Sequence, residues 1–188
     1  MGKAETAASG KTGLDLSHEK IVQFSLVAND VEKVAKRFSE IFGVSWKFYD
    51  MQPGQILLRD RDLGNVDCRL KIAIGAFGGR SLKLVQPISG QSSHAEFLQK
   101  HGEGLYTIGL GVPANHDQVV SALKKVGVSI EMQGDLGNGS RFSILDTTDE
   151  LGCRLEISSA VSVHRTSHTA SSSKVPHLLS LRTLRSQI

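Results

Sequence analysis

Residues 21–45 read IVQFSLVANDVEKVAKRFSEIFGVS, and residues 105–129 read LYTIGLGVPANHDQVVSALKKVGVS, an offset of 84 positions (105 minus 21). Each segment starts as a short apolar strand, continues with a helical pattern and ends in Gly-Val-Ser. In the first segment, Asp30 is a suitable helix N-cap and Gly43 a suitable C-terminal stop. We therefore interpret the chain as two tandem copies of one unit.

Three further strands are predicted to complete each copy. In order along the chain they are Trp46 to Met51, Arg69 to Ile74, Ser81 to Val85, Val128 to Gln133, Ser140 to Leu145 and Cys153 to Ser158. The last strand of each copy has a charged residue between two apolar ones, Lys83 in the first copy and Glu156 in the second. The sequence thus predicts an α+β fold in which two βαβββ units form a curled, partly open, eight-stranded barrel-like sheet around a cavity.

The predicted organisation has five parts. They are a flexible N-terminal arm over residues 1–19, a first unit over 20–88, a linker over 89–104, a second unit over 105–158 and a basic tail over 159–188. In the tail, Leu178, Leu181, Leu184 and Ile188 have a spacing compatible with a short docking helix, and a loosely ordered tail fits the composition as well.

The net charge of +3 comes from the tail. Four of the 22 basic residues, and no acidic residue, lie beyond position 158: Arg165, Lys174, Arg182 and Arg185. The remaining 18 basic residues face 19 acidic ones, so the body has a charge of about −1 and lacks the basic balance typical of a nucleic-acid-binding surface.

Membrane and metal signals are weak in this sequence. It has no apolar run of about 18 residues and no basic-then-apolar leader, so we expect a cytoplasmic protein that does not use a membrane partner. The two cysteines, Cys68 and Cys153, lack the paired spacing of a zinc site or a disulfide framework.

Three motifs resemble the vicinal oxygen chelate superfamily of glyoxalases, methylmalonyl-CoA epimerases, extradiol dioxygenases and bleomycin-resistance proteins, with the closest likeness to its glyoxalase-like and epimerase-like branch. They are LKLVQP over 82–87, FL at 97–98 with HGEGL over 101–105, and LDT over 145–147 with ELG over 150–152. The likeness covers about residues 20–158. It implies a glyoxalase-like fold, a small-molecule ligand and a homodimer.

The resemblance also implies a set of metal-ligand positions. Members of that family typically hold one divalent metal with a residue from the first and the last strand of each unit, which correspond here to Gln23, Lys83, Thr107 and Glu156. Lys83 and Thr107 depart from the family pattern, because an ammonium group has no lone pair and threonine is a poor replacement for imidazole. We therefore expect no metal cofactor, although Ni, Zn, Co or Mn stays open.

Strand alternation gives an independent reason to group these four positions. The neighbours of each are apolar, so the four residues are expected to share one face of the sheet. There Lys83 and Glu156 would act as catalytic residues, with the lysine in the role of the cation, and Gln23 and Thr107 would bind substrate. A buried ion pair that only replaces a vestigial metal site is the alternative.

Three basic residues are further candidates for substrate binding. Arg69 and Lys71 alternate with apolar residues and are expected to point to one side, and Arg141 lies in the corresponding strand of the second unit. Together with Lys83 they could bind a carboxylate or phosphate group, and solvated edge charges are the other interpretation.

Three hypotheses for function remain open from the sequence. The first is a metal-independent lyase, isomerase or epimerase that acts on an oxygen-rich acid or thioester. The second is a non-catalytic protein that sequesters a ligand, as bleomycin-resistance proteins do. The third is a weakly metal-dependent lyase that holds an ion on Gln23 and Glu156.

Overall fold

The computed structural model describes residues 13–112, 116–136 and 139–159. Ten strands and four helices follow one another in these ranges: β1 (Lys20–Val27), α1 (Val31–Phe42), β2 (Trp46–Met51), β3 (Leu57–Asp60), β4 (Gly64–Val66), β5 (Arg69–Phe77), β6 (Arg80–Ser89), α2 (Ser93–His101), β7 (Gly104–Gly111), α3 (His116–Lys125), β8 (Ser129–Asp135), β9 (Arg141–Asp146), α4 (Thr148–Leu151) and β10 (Arg154–Ser158).

Helix α1 begins and ends where the sequence predicts. The side chain of Asp30 accepts hydrogen bonds from the backbone N–H groups of Glu32 and Lys33, which would otherwise be unpaired in the first turn. Gly43 adopts the left-handed conformation with φ 71° and donates its N–H to Ser39, which closes the last turn. These two residues fix the direction in which the chain enters β2.

The strands form one ten-stranded sheet in the order β2-β5-β6-β1-β7-β10-β9-β8-β3-β4. The first strands of the two copies, β1 and β7, pair antiparallel at the centre, and each is parallel to the last strand of its own copy, β6 or β10. This arrangement confirms the predicted α+β fold and its duplication. It also places β6, β1, β7 and β10 side by side, and each of these four strands carries one of the predicted site positions.

The sheet has ten strands instead of the predicted eight because of a hairpin inserted into the first copy. Strands β3 and β4 pair with each other, and β3 also pairs with β8 at the far edge of the second copy. The run Arg59-Asp60-Arg61-Asp62 has no apolar alternation, so the sequence pattern did not predict a strand there.

The two ends of the sheet meet within this single chain. One buried apolar cluster joins Met51 of β2 and Leu70 and Ile72 of β5, near one edge, to Leu58 of β3, near the other edge. The curled sheet therefore forms a cup whose two edges are joined by residues of one chain.

The helices lie on both faces of the curled sheet. We call the face that carries Gln23, Ser25 and Val27 the inner face, and the opposite one the outer face. Helix α1 packs on the outer face against Ala73 and Leu84, and α3 covers the outer face of the second copy. Helix α2 lies on the inner side, where Phe97 and Leu98 pack against Val27, Met132 and Ile144.

The predicted terminal arms are described only in part. Leu14 and Leu16, within the predicted arm, pack against the cluster of Val112 and Val119 in the second copy. Residues 1–12 of the predicted arm and 160–188 of the predicted tail lie outside the described residues. In the part of the chain that the structure covers, no helix has the length and apolar character needed to cross a bilayer.

Candidate functional site

The inner face of the four central strands carries two rows of side chains across the sheet. The register pairs Gln23 with Ser81 and Gly109, and Gly109 with Glu156. It also pairs Ser25 with Lys83 and Thr107, and Thr107 with Arg154. Across strands β6, β1, β7 and β10, we call Ser81, Gln23, Gly109 and Glu156 the first row, and Lys83, Ser25, Thr107 and Arg154 the second row.

The carboxylate of Glu156 is the centre of the site. Its side chain is only 3% exposed, and its Oε2 accepts hydrogen bonds from Lys83 Nζ at 3.4 Å and Thr107 Oγ1 at 3.1 Å. Its Oε1 accepts from Gln23 Nε2 at 3.3 Å. The structure thus brings all four positions suggested by the duplication and the resemblance together around one carboxylate.

A glycine makes this convergence possible. Gly109 lies between Gln23 and Glu156 in the first row and has no side chain to separate them. A Cβ atom at Gly109 would lie 3.2 Å from the Cβ of Gln23, which is closer than an ordinary van der Waals contact. The absence of this atom lets the amide of Gln23 reach across to the carboxylate.

The ammonium group of Lys83 is removed from bulk solvent. Its side chain is 15% exposed, and Nζ lies 5.8 Å from the centre of the Phe142 ring. Electrostatic interactions are stronger in such a partly desolvated site than at the surface. Lys83 can therefore act as a fixed positive charge on the inner face.

A second ion pair lies in the same cup, between Arg154 and Glu131. Arg154 Nε donates to Glu131 Oε2, and the guanidinium lies 5.4 Å from the Phe97 ring centre and 5.2 Å from that of Tyr106. Burial raises the pKa of Glu131 above its usual range, and the hydrogen bond from Arg154 opposes that shift. Two aromatic rings thus flank the cation of this pair.

Tyr106 reaches the inner side because β7 contains a bulge. The register shifts between Ser25 and Leu26, whose partners are Thr107 and Leu105, so Tyr106 is the extra residue. It packs with Val27 in the inner cluster, although strict alternation predicted it on the outer face. Its hydroxyl donates to Ser93 Oγ at 2.9 Å.

His94 lies near both ion pairs and is uncharged. Burial, together with the positive charges of Lys83 and Arg154, lowers the pKa of His94 to about 3. The imidazole packs against the ring of Tyr106 with a centre-to-centre distance of 4.8 Å. Among the described residues, its Nδ1 has no hydrogen-bond partner.

A small pocket adjoins the Glu156 cluster, with the first row as its floor. Its volume is about 40 Å³, and its lining includes Ser81, Gln23, Gly109, Glu156 and Ser158. The hydroxyl of Ser81, like that of Ser25 in the second row, is buried without a hydrogen-bond partner in the described part of the chain.

The three other predicted binding residues lie on the outer face, which corrects their predicted grouping with Lys83. Lys83 is paired in register with Ile74, whereas Lys71 is paired with Gln86, so the two lysines project from opposite faces. Lys71 Nζ binds Glu32 at 2.7 Å. Arg69 similarly binds Asp50 at 2.5 Å, and Arg141 binds Asp117 at 2.7 Å.

The sequence interpretation missed several polar residues of the inner face. Ser25, Ser81 and Arg154 each lie two positions from a predicted site residue in the same strand. Period-two alternation places them on the same face, so this spacing was the signal that could have identified them. His94 had no comparable signal because it comes from α2, outside the repeated strands.

Comparison with known proteins places the chain in a family. The family model of the glyoxalase, bleomycin resistance protein and dioxygenase superfamily matches residues 22–143. The chain belongs to this superfamily. No curated protein matches the chain.

Solved structures share the superfamily fold with this chain. A hypothetical protein from Bacillus halodurans C-125 is 19% identical with a TM-score of 0.56, covering 82% of this chain and 99% of its own. The methylmalonyl-CoA epimerase from Mycobacterium tuberculosis is 18% identical with a TM-score of 0.55, covering 73% and 85%. A methylmalonyl-CoA epimerase in complex with methylmalonyl-CoA and NH4+ is 17% identical with a TM-score of 0.57, covering 77% and 96%.

The residues of this superfamily member fit the family's divalent metal poorly. Within the described ranges, no group of three or more His, Cys, Asp or Glu side chains could hold a metal ion. The cluster offers one carboxylate, one amide and one hydroxyl, and its fourth member is an ammonium group 3.4 Å from that carboxylate. A divalent cation would be repelled by Lys83 and would have too few strong ligands.

Proposed function

We propose that the chain is an enzyme of the superfamily that moves a proton beside a carbonyl group of a small molecule without a divalent metal. A lyase, isomerase or epimerase would use this step. The observation that carries the proposal is the contact of the Lys83 ammonium with the Glu156 carboxylate at 3.4 Å on the inner face. The two charges lie where the resemblance implies metal ligands.

The chemistry follows from the charges of the two residues. When a base removes a proton from the carbon next to a carbonyl, negative charge develops on the carbonyl oxygen. In the proposed step, Glu156 takes that proton and the ammonium of Lys83 stabilises the oxygen. Reprotonation of the carbon from either face, or loss of a leaving group from the neighbouring carbon, would complete the reaction.

One of the structural neighbours binds an ammonium ion as well as its ligand. A methylmalonyl-CoA epimerase has been solved with both methylmalonyl-CoA and NH4+. A monovalent nitrogen cation is therefore compatible with a ligand complex of a protein of this fold. Lys83 would supply a similar cation that is covalently attached to the chain.

Hydrogen exchange tests this function without knowledge of the complete reaction. Methylmalonyl-CoA, pyruvate and hydroxyacetone are incubated with the protein in D2O, and loss of the proton signal next to the carbonyl is followed by NMR. We expect the protein to accelerate exchange for at least one compound. Lys83→Met should lower that rate by about 10²- to 10³-fold.

Lys71→Met is the matched control for this experiment. Lys71 is in the neighbouring strand but faces Glu32 on the outer face, so its loss should leave the exchange rate unchanged. Equal rates in the Lys83→Met variant and the native protein would overturn the role of Lys83. A metal content near one equivalent of Ni, Co, Zn or Mn in protein purified without chelator would overturn metal independence.

A second candidate function is ligand sequestration. It is favoured by the closed hydrogen-bond network around Glu156, where Gln23, Lys83 and Thr107 already occupy both carboxylate oxygens. A protein of this type would bind a ligand but give no exchange in D2O. The Lys83→Met variant would then keep most of its ligand affinity.

We also propose that the chain forms a homodimer through an exposed aromatic patch on the first copy. The rings of Phe38, Phe42 and Phe77 lie within 5.8 Å of one another, and Phe42 is 56% exposed. Phe48, on the edge strand β2, is also 49% exposed. A second copy would bury this apolar surface.

Sedimentation velocity tests this assembly. Phe42→Lys should convert a dimer to a monomer, whereas Leu151→Lys should have no effect, because Leu151 is equally exposed at 58% but lies in the second copy. A native protein that stays monomeric, or a Phe42→Lys variant that stays dimeric, would contradict this interface.

A further inference from the structure

A groove beside α3 lies apart from the Glu156 cluster. Its volume is about 580 Å³, a size typical of small-molecule pockets. It is lined by the β3–β4 hairpin and by the chain from the end of α3 into β8. Among the described lining residues, none is shared with the small pocket beside Glu156. The groove is therefore a separate feature of the molecule.

The inserted hairpin supplies one part of the groove lining. In β3, Leu58 and Asp60 are buried and Arg59 between them is exposed, so Arg59 projects from the other face of the strand. Arg59 is paired in register with Gln133 of β8, and both residues line the groove. The duplication does not account for this lining, because the described part of the second copy has no corresponding hairpin.

Arg61 holds the hairpin against the second copy. Its Nη1 donates to Asp146 Oδ2 at 2.5 Å and to Ser129 Oγ at 3.2 Å, and its Nη2 donates to Asp62 Oδ2 at 3.3 Å. Two carboxylates thus compensate the charge of Arg61. The contacts of Arg61 keep Arg59 at the groove, although Arg61 itself is already paired.

Lys124 supplies a further positive charge from the last turn of α3. A lysine at this place can complement the unpaired carbonyl groups of a helix end. Here the carbonyl of Lys124 accepts the backbone N–H of Gly127, and that of Leu123 accepts the N–H of Val128. In the part of the chain that the structure describes, neither Lys124 nor Arg59 has an ion-pair partner. Two uncompensated cations therefore line one groove.

The carboxylate of Asp60 is the one negative charge among the described lining residues. Asp60 is 5% exposed, and its Oδ1 accepts the backbone N–H groups of Asp62 at 2.9 Å and Leu63 at 3.2 Å. These hydrogen bonds stabilise its charge within the chain. A ligand in the groove would meet two exposed cations and one buried carboxylate, so the lining favours an anion.

We propose that the groove binds a small organic phosphate, with Arg59 and Lys124 in contact with its phosphate group. A guanidinium donates two parallel hydrogen bonds to a phosphate, and an ammonium group adds a compact positive charge, so together they suit a dianion. The groove has room for the organic part of the ligand beside Val128. This binding site goes beyond the proposed reaction, because it uses neither Lys83 nor Glu156.

AMP and adenosine test the ligand class, because they differ in the phosphate group alone. Each is titrated into the isotope-labelled full chain, and the backbone amide signals are followed by NMR. We expect AMP to shift the signals of Gly64, Gly127 and Ser129, which line the groove. The signal of Gly109, beside Glu156, should not move. Adenosine should shift none of these signals.

Substitution of the two cations tests the contacts. Arg59→Gln and Lys124→Gln should each weaken AMP binding about 5-fold, and the double variant about 25-fold, as expected for two independent, partly exposed charge contacts. Lys125→Gln is the matched control, because Lys125 is the next residue of α3 and is not among the lining residues. Arg59→Lys keeps the positive charge and should retain part of the affinity.

The contrary results are specific. No shift of the groove signals with AMP, equal shifts with adenosine, or binding only to vesicles that contain phosphatidic acid would overturn the ligand class. Unchanged affinity in the double variant, or an equal loss in Lys125→Gln, would overturn the assigned contacts. AMP binding that depends on Arg59 and Lys124, in a protein that catalyses no exchange in D2O, would support this inference and contradict only the proposed reaction.

Discussion

Strands β6 and β10 are the corresponding last strands of the two copies, and their inner faces carry different charges. In the two rows, β6 presents Ser81 and Lys83, and β10 presents Arg154 and Glu156. The Ser81 hydroxyl is buried without a hydrogen-bond partner among the described residues, whereas the Arg154 guanidinium is paired with Glu131 and flanked by the rings of Phe97 and Tyr106. The same backbone position thus carries a small neutral side chain in one copy and a paired charge in the other.

The two ion pairs of the cup differ in how their carboxylates are held. Glu156 has three side-chain donors, so the removal of one leaves two. Glu131 has Arg154 as its one side-chain partner among the described residues. A buried charge that loses its last partner is strongly destabilising, whereas one that keeps other donors is less so. The two pairs should therefore respond differently to loss of the cation.

The largest expected effect is that of Arg154→Met. This change leaves Glu131 buried without its partner and should lower the free energy of unfolding by about 3 to 5 kcal/mol. Urea unfolding followed by circular dichroism measures the loss. Arg141→Met is the control, because the ion pairs of Arg141 are half exposed and should contribute less than about 1 kcal/mol.

Lys83→Met should have a smaller effect on stability, about 2 kcal/mol, because Glu156 keeps its hydrogen bonds from Gln23 and Thr107. The same urea titration measures it. Adding Thr107→Val to this variant should lower stability by more than the sum of the single changes, since only Gln23 then remains. If Lys83→Met lowers the free energy of unfolding as much as Arg154→Met does, the additional donors to Glu156 do not compensate for loss of the cation.

The duplication explains why this cluster could be predicted from the sequence. Gln23 and Thr107 occupy the same place in the two copies, and β1 pairs with β7, so the pseudo-symmetry brings the four positions together. The alternation of apolar neighbours gave them a common face. Both features are local or periodic, and both are readable from one sequence.

Features that depend on the register between strands are harder to predict from the sequence. The two-residue turn Gly78-Gly79 places Phe77 opposite Arg80, and counting from it puts Lys71 opposite Gln86, away from Lys83. The sequence therefore contained enough information to place Lys71. It did not contain enough to predict the bulge that brings Tyr106 to the inner side, because only the pairing with the neighbouring strand reveals the extra residue.

His94 is buried near the cations of both ion pairs. Its pKa of about 3 in the folded protein lies below the ordinary value of 6.5, so between these pH values the unfolded chain binds a proton that the folded protein does not. Stability should therefore fall as the pH is lowered through 6.5, by about 1 kcal/mol per pH unit from this residue.

Urea unfolding at pH 7, 6 and 5 measures this contribution as the difference between the native protein and His94→Gln. The variant should lose less stability over this range. His101→Gln, at the exposed end of the same helix, is the control and should follow the native protein. Parallel curves for the native protein and His94→Gln would show that burial and the charges of Lys83 and Arg154 do not hold His94 uncharged.

The smallest expected effect concerns Gly109, which lies between Gln23 and Glu156 in the first row. In Gly109→Ala, the new methyl group would lie 3.2 Å from Gln23 Cβ, so Gln23 must shift by a few tenths of an ångström away from Glu156. We expect a loss of about 1 kcal/mol.

Gly104→Ala is the matched control for this change, because a Cβ at Gly104, in the same strand, would meet no atom within 4 Å. Gly104→Ala should leave the free energy of unfolding nearly unchanged, and both variants should leave the Arg154–Glu131 pair intact. If Gly109→Ala also slows exchange in D2O while Gly104→Ala does not, then the position of Gln23 beside Glu156 matters for chemistry. If the two variants are equally stable and equally active, the gap at Gly109 has no part in holding the cluster, and the convergence of Gln23 on Glu156 follows from the register of β1, β7 and β10 alone.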